Sequence, residues 1–243
     1  MEKLMEIWGQ KKKLPPMTNR ITEPDRVTGT IRMQSGDKTV SLYLYGPVSE
    51  WMGEDGVSAK DIVNAVDSIP PGTEQVFLHI NSPGGSIFEA KAICANIKRI
   101  RCQTVAIVDG LCASAAVSIA LACGKVQMMK GSYMMIHQAS SVVFGNKQDM
   151  RKMADTLETI EQSIVDCYVE KTGLSQEEVI AMMDATTWFE ADAAKEKGFA
   201  DEVIDEPQKP PKEPENKTEE PKEPDRQGRY MTNANRLRLL ELM

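Results

Sequence analysis

The apolar positions along the chain fall into short strand-like runs separated by helical stripes. Ser41 to Tyr45 (SLYLY) alternates as a half-buried strand does, and Gly46 and Pro47 end it. Ala59 to Ile69 puts Ile62, Val63, Val66 and Ile69 on one helical face, and Pro70, Pro71 and Gly72 stop it. Gln75 to Ile80 (QVFLHI) is a continuous apolar strand that runs into Asn81-Ser82-Pro83-Gly84-Gly85, after which Ile87 to Ile100 returns to helical spacing. Thr104 to Val108, Lys125 to Met128 and Tyr133 to His137 predict three more strands, with a turn at Asp109-Gly110 and a helix over Ala113 to Ala122. Strands that alternate with helices predict an α/β fold built on a largely parallel sheet, with the helices outside.

A long helix is predicted from Asn146 to Lys171, where Met150, Met153, Leu157, Ile160, Ile164 and Tyr168 share a face and Thr172-Gly173 form the stop. Ser175 and Glu178 have capping-box spacing for a second helix reaching about Met183. The apolar stripe of the long helix either covers the domain's own core or packs against another subunit. Before residue 27 the apolar residues are sparse and Pro15, Pro16 and Pro24 break any helix, so 1–26 reads as an extended arm and 27–205 as the folded domain. After Ile204 the composition turns to Pro, Glu and Lys, which predicts a solvated, disordered linker over 206–228. Residues 229–243 follow, and within them Asn235 to Met243 (NRLRLLELM) regains helical amphipathicity, as a tethered docking helix or a frayed end would.

Composition narrows the function classes. A formal charge of -7 argues against a nucleic-acid partner, since phosphate binding needs a net basic face. The five cysteines are odd in number and scattered through apolar segments without metal-site or disulfide spacing, so they read as buried thiols of a reducing cytosol, with no metal and no cofactor implied. Val105 to Cys123 approaches membrane length, but Asp109 and Gly110 interrupt it, and a buried strand followed by a buried helix accounts for it better. Met1 to Gln10 lacks the apolar core of an export signal, and a cytoplasmic, membrane-free location is the expectation.

The chain has only two histidines, which shortens the search for a general base. His79 lies inside an apolar strand and His137 at the end of one. Active sites of open α/β sheets gather at the carboxyl ends of the strands, where Gly84-Gly85, Ser114 and His137 all fall. Ser114 opens the helix after a strand, among the small residues Ala113, Ala115 and Ala116, a position that exposes a hydroxyl beside free N–H groups. A serine at a helix start is more often an N-cap than a nucleophile, and paired glycines are more often a tight turn than an oxyanion donor. The glycine spacing fits neither a dinucleotide fingerprint nor a Walker loop.

Three stretches in order, Ile80-Asn81-Ser82-Pro83-Gly84-Gly85-Ser86, Gly110-Leu111-Cys112-Ala113-Ser114-Ala115-Ala116 and Tyr133-Met134-Met135-Ile136-His137-Gln138, resemble the signatures of the Clp protease proteolytic subunit family, peptidase family S14. The likeness spans roughly Leu42 to Ile204. It implies a crotonase-like spiral of βαβ units with a protruding long helix, Ser114 as nucleophile, His137 as general base, and the backbone N–H groups of Gly84 and Ala115 as the oxyanion hole. It also implies that a substrate peptide lies as an added strand between Gly85, Ser86 and Ile87 on one side and Ser140, Ser141 and Val142 on the other. Members assemble as heptameric rings, usually stacked in pairs, through the long helix.

The sequence departs from the family at the third member of the triad, because the aligned position is Thr186, which cannot stabilise an imidazolium by charge. Asp184, two positions earlier, is the nearest acid, and a shift at the helix end would bring it to His137 Nδ1. The tail and the N-terminal arm resemble those of Clp-related head maturation proteases of tailed phages and prophages, which implies capsid or scaffold proteins as substrates. Within the same fold stand a degradative subunit docked to an AAA+ unfoldase and a catalytically silent ring subunit. A further alternative is acyl-CoA chemistry, although no CoA-phosphate motif stands out.

Overall fold

The computed structural model describes residues 30–35, 38–49 and 56–205. The arm (1–26), the linker (206–228) and the C-terminal helix (229–243) expected from sequence lie outside the described residues. Contacts divide the chain into Met1–Pro211 and Lys212–Met243, and all described residues belong to the first unit.

The strands are β1 (Thr30–Ser35), β2 (Thr39–Tyr45), β3 (Gln75–Ser82), β4 (Gln103–Ala113), β5 (Lys125–Met129), β6 (Tyr133–Ile136), β7 (Thr187–Glu190) and β8 (Glu202–Ile204). They form one sheet in the order β1-β2-β3-β4-β5-β8, with β6 joined to the far end of β4 and β7 to β6. The β2, β3, β4, β5 and β8 neighbours run parallel, as does β6 on β4, whereas β1 and β7 are antiparallel to their partners. Val40, Leu42 and Leu44 of β2 and Leu78 and Ile80 of β3 bury one face of the sheet in the main core, while Phe77, Val105 and Ile107 form a small apolar cluster on the other.

The helices are α1 (Ala59–Asp67), α2 (Ile87–Ile97), α3 (Ala115–Leu121), α4 (Lys147–Thr172), α5 (Gln176–Asp184) and α6 (Ala191–Glu196). Their starts are set by local chemistry: Ser58 with Asp61, Asn146 with Asp149 and Ser175 with Glu178 each close a capping box. Gly173 ends α4 in the left-handed conformation, with φ 73°. Helix α3 is buried along nearly its whole length, which its Ala and Ser content allows by letting neighbours approach closely.

Helix α4 divides along its length. Ile164, Val165 and Tyr168 are buried in the core, whereas Met150 near its start is 52% exposed. Both uses weighed for its stripe thus have a half of the helix, core cover at the C-terminal end and unburied apolar surface at the N-terminal end.

Two sequence expectations are corrected. Asp109-Gly110 is not a turn, since β4 continues through it to Ala113, and α3 begins only at Ala115. The strand carries on because its partners change: it pairs with β3 and β5 as far as Val108, the β3 register shifts between Ile80 and Ser82, and Leu111 to Ala113 then pair with β6. The pairing of Leu111 to Ala113 with β6 sets Ser114 beside that strand.

Asp201 ties α4 to the sheet. Its carboxylate accepts from Lys171 Nζ at 2.7 and 2.8 Å and from the Val126 N–H at 2.7 Å, and its own N–H donates to Val126 O at 2.8 Å. Asp201→Ala strands a half-buried ammonium and a strand N–H together. It is expected to cost about 1–3 kcal/mol of unfolding free energy, read as a lower urea midpoint at unchanged slope.

Candidate active site

Ser114 stands where β4 must turn into α3 without an intervening loop. Its backbone is held at φ 56° and ψ -125°, and its hydroxyl makes no cap bond to the helix. The N-cap alternative therefore does not describe what this hydroxyl does. The Ser114 N–H donates to Met135 O at 2.8 Å, continuing the β4–β6 pairing past the last strand residue. Strand β6 ends at Ile136, so His137 emerges beside the turn, and its Nε2 lies 2.8 Å from Ser114 Oγ. A serine hydroxyl this close to an imidazole nitrogen has the geometry that a nucleophile and its general base require.

Gly84 packs beneath the turn. With φ 84°, a Cβ there would lie 2.4 Å from Ala113 O, 2.8 Å from the Ala115 nitrogen and 2.9 Å from Ser114 Cβ. Only glycine fits on both counts, conformation and space. The Val48 N–H donates to Gly84 O at 2.8 Å and the Ser86 N–H to Val48 O at 2.7 Å, which fastens the glycine segment to the chain after β2. Asn81 Oδ1 accepts the Leu111 N–H at 3.1 Å, spanning the place where the β3–β4 register shifts.

These bonds bear on which N–H groups stand free beside Ser114, where the family likeness led us to expect those of Gly84 and Ala115. The Gly84 N–H already donates to the buried Ser82 hydroxyl at 3.1 Å. The Gly85 N–H has no acceptor among the described residues, and the Ala115 N–H, first of α3, makes no bond outside its helix. The pair of donors left unengaged beside Ser114 is thus Gly85 and Ala115. Sequence reasoning missed Ser82 and Val48 because their roles depend on contacts that spacing does not reveal.

The structure shows no hydrogen bond between Asp184 and His137. Asp184 Oδ1 accepts from Gln138 Nε2, the residue after His137, at the surface. His137 Nδ1 has no hydrogen-bond partner among the described residues. The β6–β7 ladder pairs Ile136 with Thr187, so Thr186 falls opposite His137 just past the end of that ladder. Thr186 is itself in the left-handed region, φ 52°, which a β-branched residue rarely adopts.

A cavity of about 360 Å³ opens beside the pair. Gly85, Ser86, Ile87, Ser140 and Ser141 line it as expected for substrate-flanking segments. Val142 does not line it and is 80% exposed. Its apolar wall comes from Met153, Leu157, Ile160 and Ile164 of α4, and Ser118 and Tyr168 lie deeper.

His79 is the mirror case. Its Nδ1 lies 3.0 Å from Asp109 Oδ2, Tyr45 donates to the same carboxylate at 2.7 Å, and Tyr43 stacks on the ring with centroids 4.6 Å apart. Burial and Asp109 together push the Tyr45 phenol up. The side-chain partner of the His79 ring nitrogen is the Asp109 carboxylate. Burial also pushes the Cys94 and Cys123 thiols up to about 12, so they hold their protons and do not compete as nucleophiles.

The Clp protease family model matches residues 41–207. The chain belongs to the Clp protease family. It is 30% identical over 168 residues to the ATP-dependent Clp protease proteolytic subunit 3 of Rhodococcus jostii (strain RHA1), covering 68% of this chain and 80% of that one. To the ATP-dependent Clp protease proteolytic subunit of Streptococcus pneumoniae (strain 70585) it is 31% identical over 167 residues, covering 67% and 83%. A solved ClpP1 point mutant from Listeria monocytogenes superposes with a TM-score of 0.60 at 23% identity, over 68% of this chain and 91% of that one. The crotonase-like α/β fold expected from sequence is therefore the fold of this Clp-family chain.

Thr186→Asp is expected to raise kcat/KM for a peptide substrate by about tenfold or more. A carboxylate opposite His137 stabilises the imidazolium, so the acidic limb of the pH–rate profile moves to higher pH. Thr186→Asn relieves the same backbone strain without the charge, and is expected to stabilise the fold while leaving both the rate and the limb in place. Asp184→Asn is expected to leave kcat/KM unchanged, since its partner is Gln138.

Proposed function

We propose that this Clp-family chain is a serine endopeptidase working through a Ser114–His137 dyad. The 2.8 Å contact between the two side chains, at a turn that holds Ser114 out of helical conformation, carries the reading. His137 Nε2 takes the Ser114 proton as Oγ attacks the scissile carbonyl, and the resulting oxyanion is held by the N–H groups of Gly85 and Ala115. His137 then returns the proton to the leaving amine, and water repeats the sequence on the acyl-enzyme. The Gly85 to Ile87 segment and the Ser140-Ser141 segment flank the bound peptide as backbone partners. No ionised acid at Nδ1 is part of the scheme, which makes the enzyme slow but not inert.

Chains of this family work as rings, and the N-terminal half of α4, with exposed Met150 beside Val142 and Phe144 on the preceding segment, supplies apolar surface for a neighbouring copy. The substrate we assign is a capsid-assembly protein such as scaffold, in a phage-infected or prophage-bearing bacterial cytoplasm. That assignment rests on the likeness of the arm and the charged tail to head maturation proteases. The names of the curated relatives favour a second reading, a degradative subunit working with an AAA+ unfoldase.

A fluorophosphonate probe is expected to label Ser114 in the full-length protein near neutral pH. Ser114→Ala is expected to lose the label and at least about 10³-fold in peptide hydrolysis. An intact protein that stays unlabelled would overturn the dyad and leave the silent ring subunit. Cleavage of folded protein only with ATP and an unfoldase would replace the capsid reading with the degradative one.

A further inference from the structure

A cavity of about 610 Å³ opens between α2 and α4 with α3 as its floor, and neither Ser114 nor His137 lines it. Lys91, Cys94 and Lys98 line it from α2, and Ser163, Cys167 and Glu170 from α4, each set on one helical face. A thiol thus stands in the middle of each facing stripe. The stripes meet at one end, where Lys91 Nζ donates to Ser163 O at 3.2 Å. One turn further along each helix come Cys94 and Cys167, both half-buried. The Cys94 thiol donates to Ser118 O on α3 at 3.3 Å.

The charges around the groove act on both thiols. Burial pushes the Cys167 thiol up, while Lys91 and Lys98 pull it down. Burial and then Cys167 itself push Cys94 up, against the same two lysines. Cys167 therefore faces the stretch of α2 that carries Cys94. The other cysteines are placed differently: Cys112 and Cys123 are buried in the main core, and Cys102 lines a separate cavity.

We infer that Cys94 and Cys167 are joined by a reversible disulfide under peroxide, and that this link between α2 and α4 is a redox switch on the neighbouring active site. Hydrogen peroxide transfers one oxygen to the Cys167 thiol, giving a sulfenic acid and one water. The Cys94 sulfur then attacks the sulfenic sulfur, the S–O bond breaks, and the hydroxyl leaves with the Cys94 proton as a second water. Two thiols lose two electrons in all, and the peroxide gains them. Burial keeps Cys94 protonated, so the second step is the slow one. Transient, sensing disulfides are the kind a reducing cytosol allows. Helix α2 begins in the segment that lines the Ser114 cavity, and α4 supplies that cavity's apolar wall, with Tyr168 directly after Cys167. A disulfide holds its Cα atoms about 5–6 Å apart, so closing it draws α4 onto α2, takes the Cys94 thiol from Ser118 O, and shifts Tyr168 in the cavity.

The test treats the full-length protein with hydrogen peroxide, alkylates the remaining thiols, and maps cross-linked peptides by mass spectrometry without reductant. The expected result is a peptide pair joined through Cys94 and Cys167. The thermal unfolding midpoint is expected to rise with the link, because it closes a long loop, and to return with dithiothreitol. Peptide hydrolysis is expected to fall about tenfold or more on oxidation and to recover with the same reductant. Cys167→Ser is expected to keep full activity when reduced, to form no link, and to lose this response to peroxide. No Cys94–Cys167 pair after oxidation, or an unchanged response in Cys167→Ser, overturns the inference. A linked protein with undiminished hydrolysis overturns the switch. The activity arm rests on the peptidase reading, whereas the link and the midpoint are read without it, so a protein that links but neither cleaves peptides nor takes the fluorophosphonate probe overturns that reading and the switch, not the disulfide.

Discussion

The geometry of the site depends on one backbone constraint, the β4-to-α3 turn at Ser114. A non-glycine residue at φ 56° costs about 1–3 kcal/mol and persists only where its surroundings over-determine it. Here they do so from three sides. Met135 O holds the Ser114 N–H, Gly84 lies against the turn with no room for a side chain, and Asn81 fixes Leu111 at the point where the β3–β4 register shifts. Each of these is a backbone contact or a bond to backbone, so the hydroxyl is aimed before any substrate arrives. The same turn leaves the Ala115 N–H free beside it and orients α3 so that Ser118 follows Ser114 into the cavity.

Much of this was legible in the residue pattern because the sheet obeys it closely. The parallel strands Gln75–Ser82 and Lys125–Met129 and the caps at Ser175 and Gly173 lie close to where periodicity and capping chemistry put them. The misreading of Asp109-Gly110 has a specific cause. Asp and Gly break strands when a strand has the same neighbours throughout, but β4 exchanges β5 for β6 at that point, and Asp109 is held by Tyr45 and His79. The final segment was less legible because β7 and β8 are only four and three residues long, too short for a period to register.

The site residues divide in the same way. Ser114 and His137 could be found from strand ends and motif order, since both sit where the topology sends the chain. Which glycine keeps a free N–H could not, because the Ser82 hydroxyl reaches forward two residues to accept the Gly84 N–H, and adjacent glycines look alike in sequence. Nor could the fate of Asp184, which depends on Gln138 lying nearer to it than the imidazole does. Side-chain pairings across forty or more residues are set by packing, and a single sequence carries little trace of them.

The two histidines show what the missing acid changes. His79 has a carboxylate and tyrosines around it, and ties β2, β3 and β4 together on the face away from the main core. His137 has the Ser114 hydroxyl but, among the described residues, no carboxylate in hydrogen-bond contact. An acid in a triad does two things: it orients the ring and it stabilises the imidazolium. Orientation is supplied here by other means, since the β6–β7 ladder fixes the backbone up to Ile136 and Ser114 Oγ holds Nε2. In the proposed dyad charge stabilisation is not supplied, so the loss would fall on the rate of the chemical step and not on the geometry of attack. A slow step burdens an enzyme that must turn over many substrates each second. It burdens far less one that cuts each copy of an assembly protein once, already concentrated beside it, which is the setting proposed for this chain.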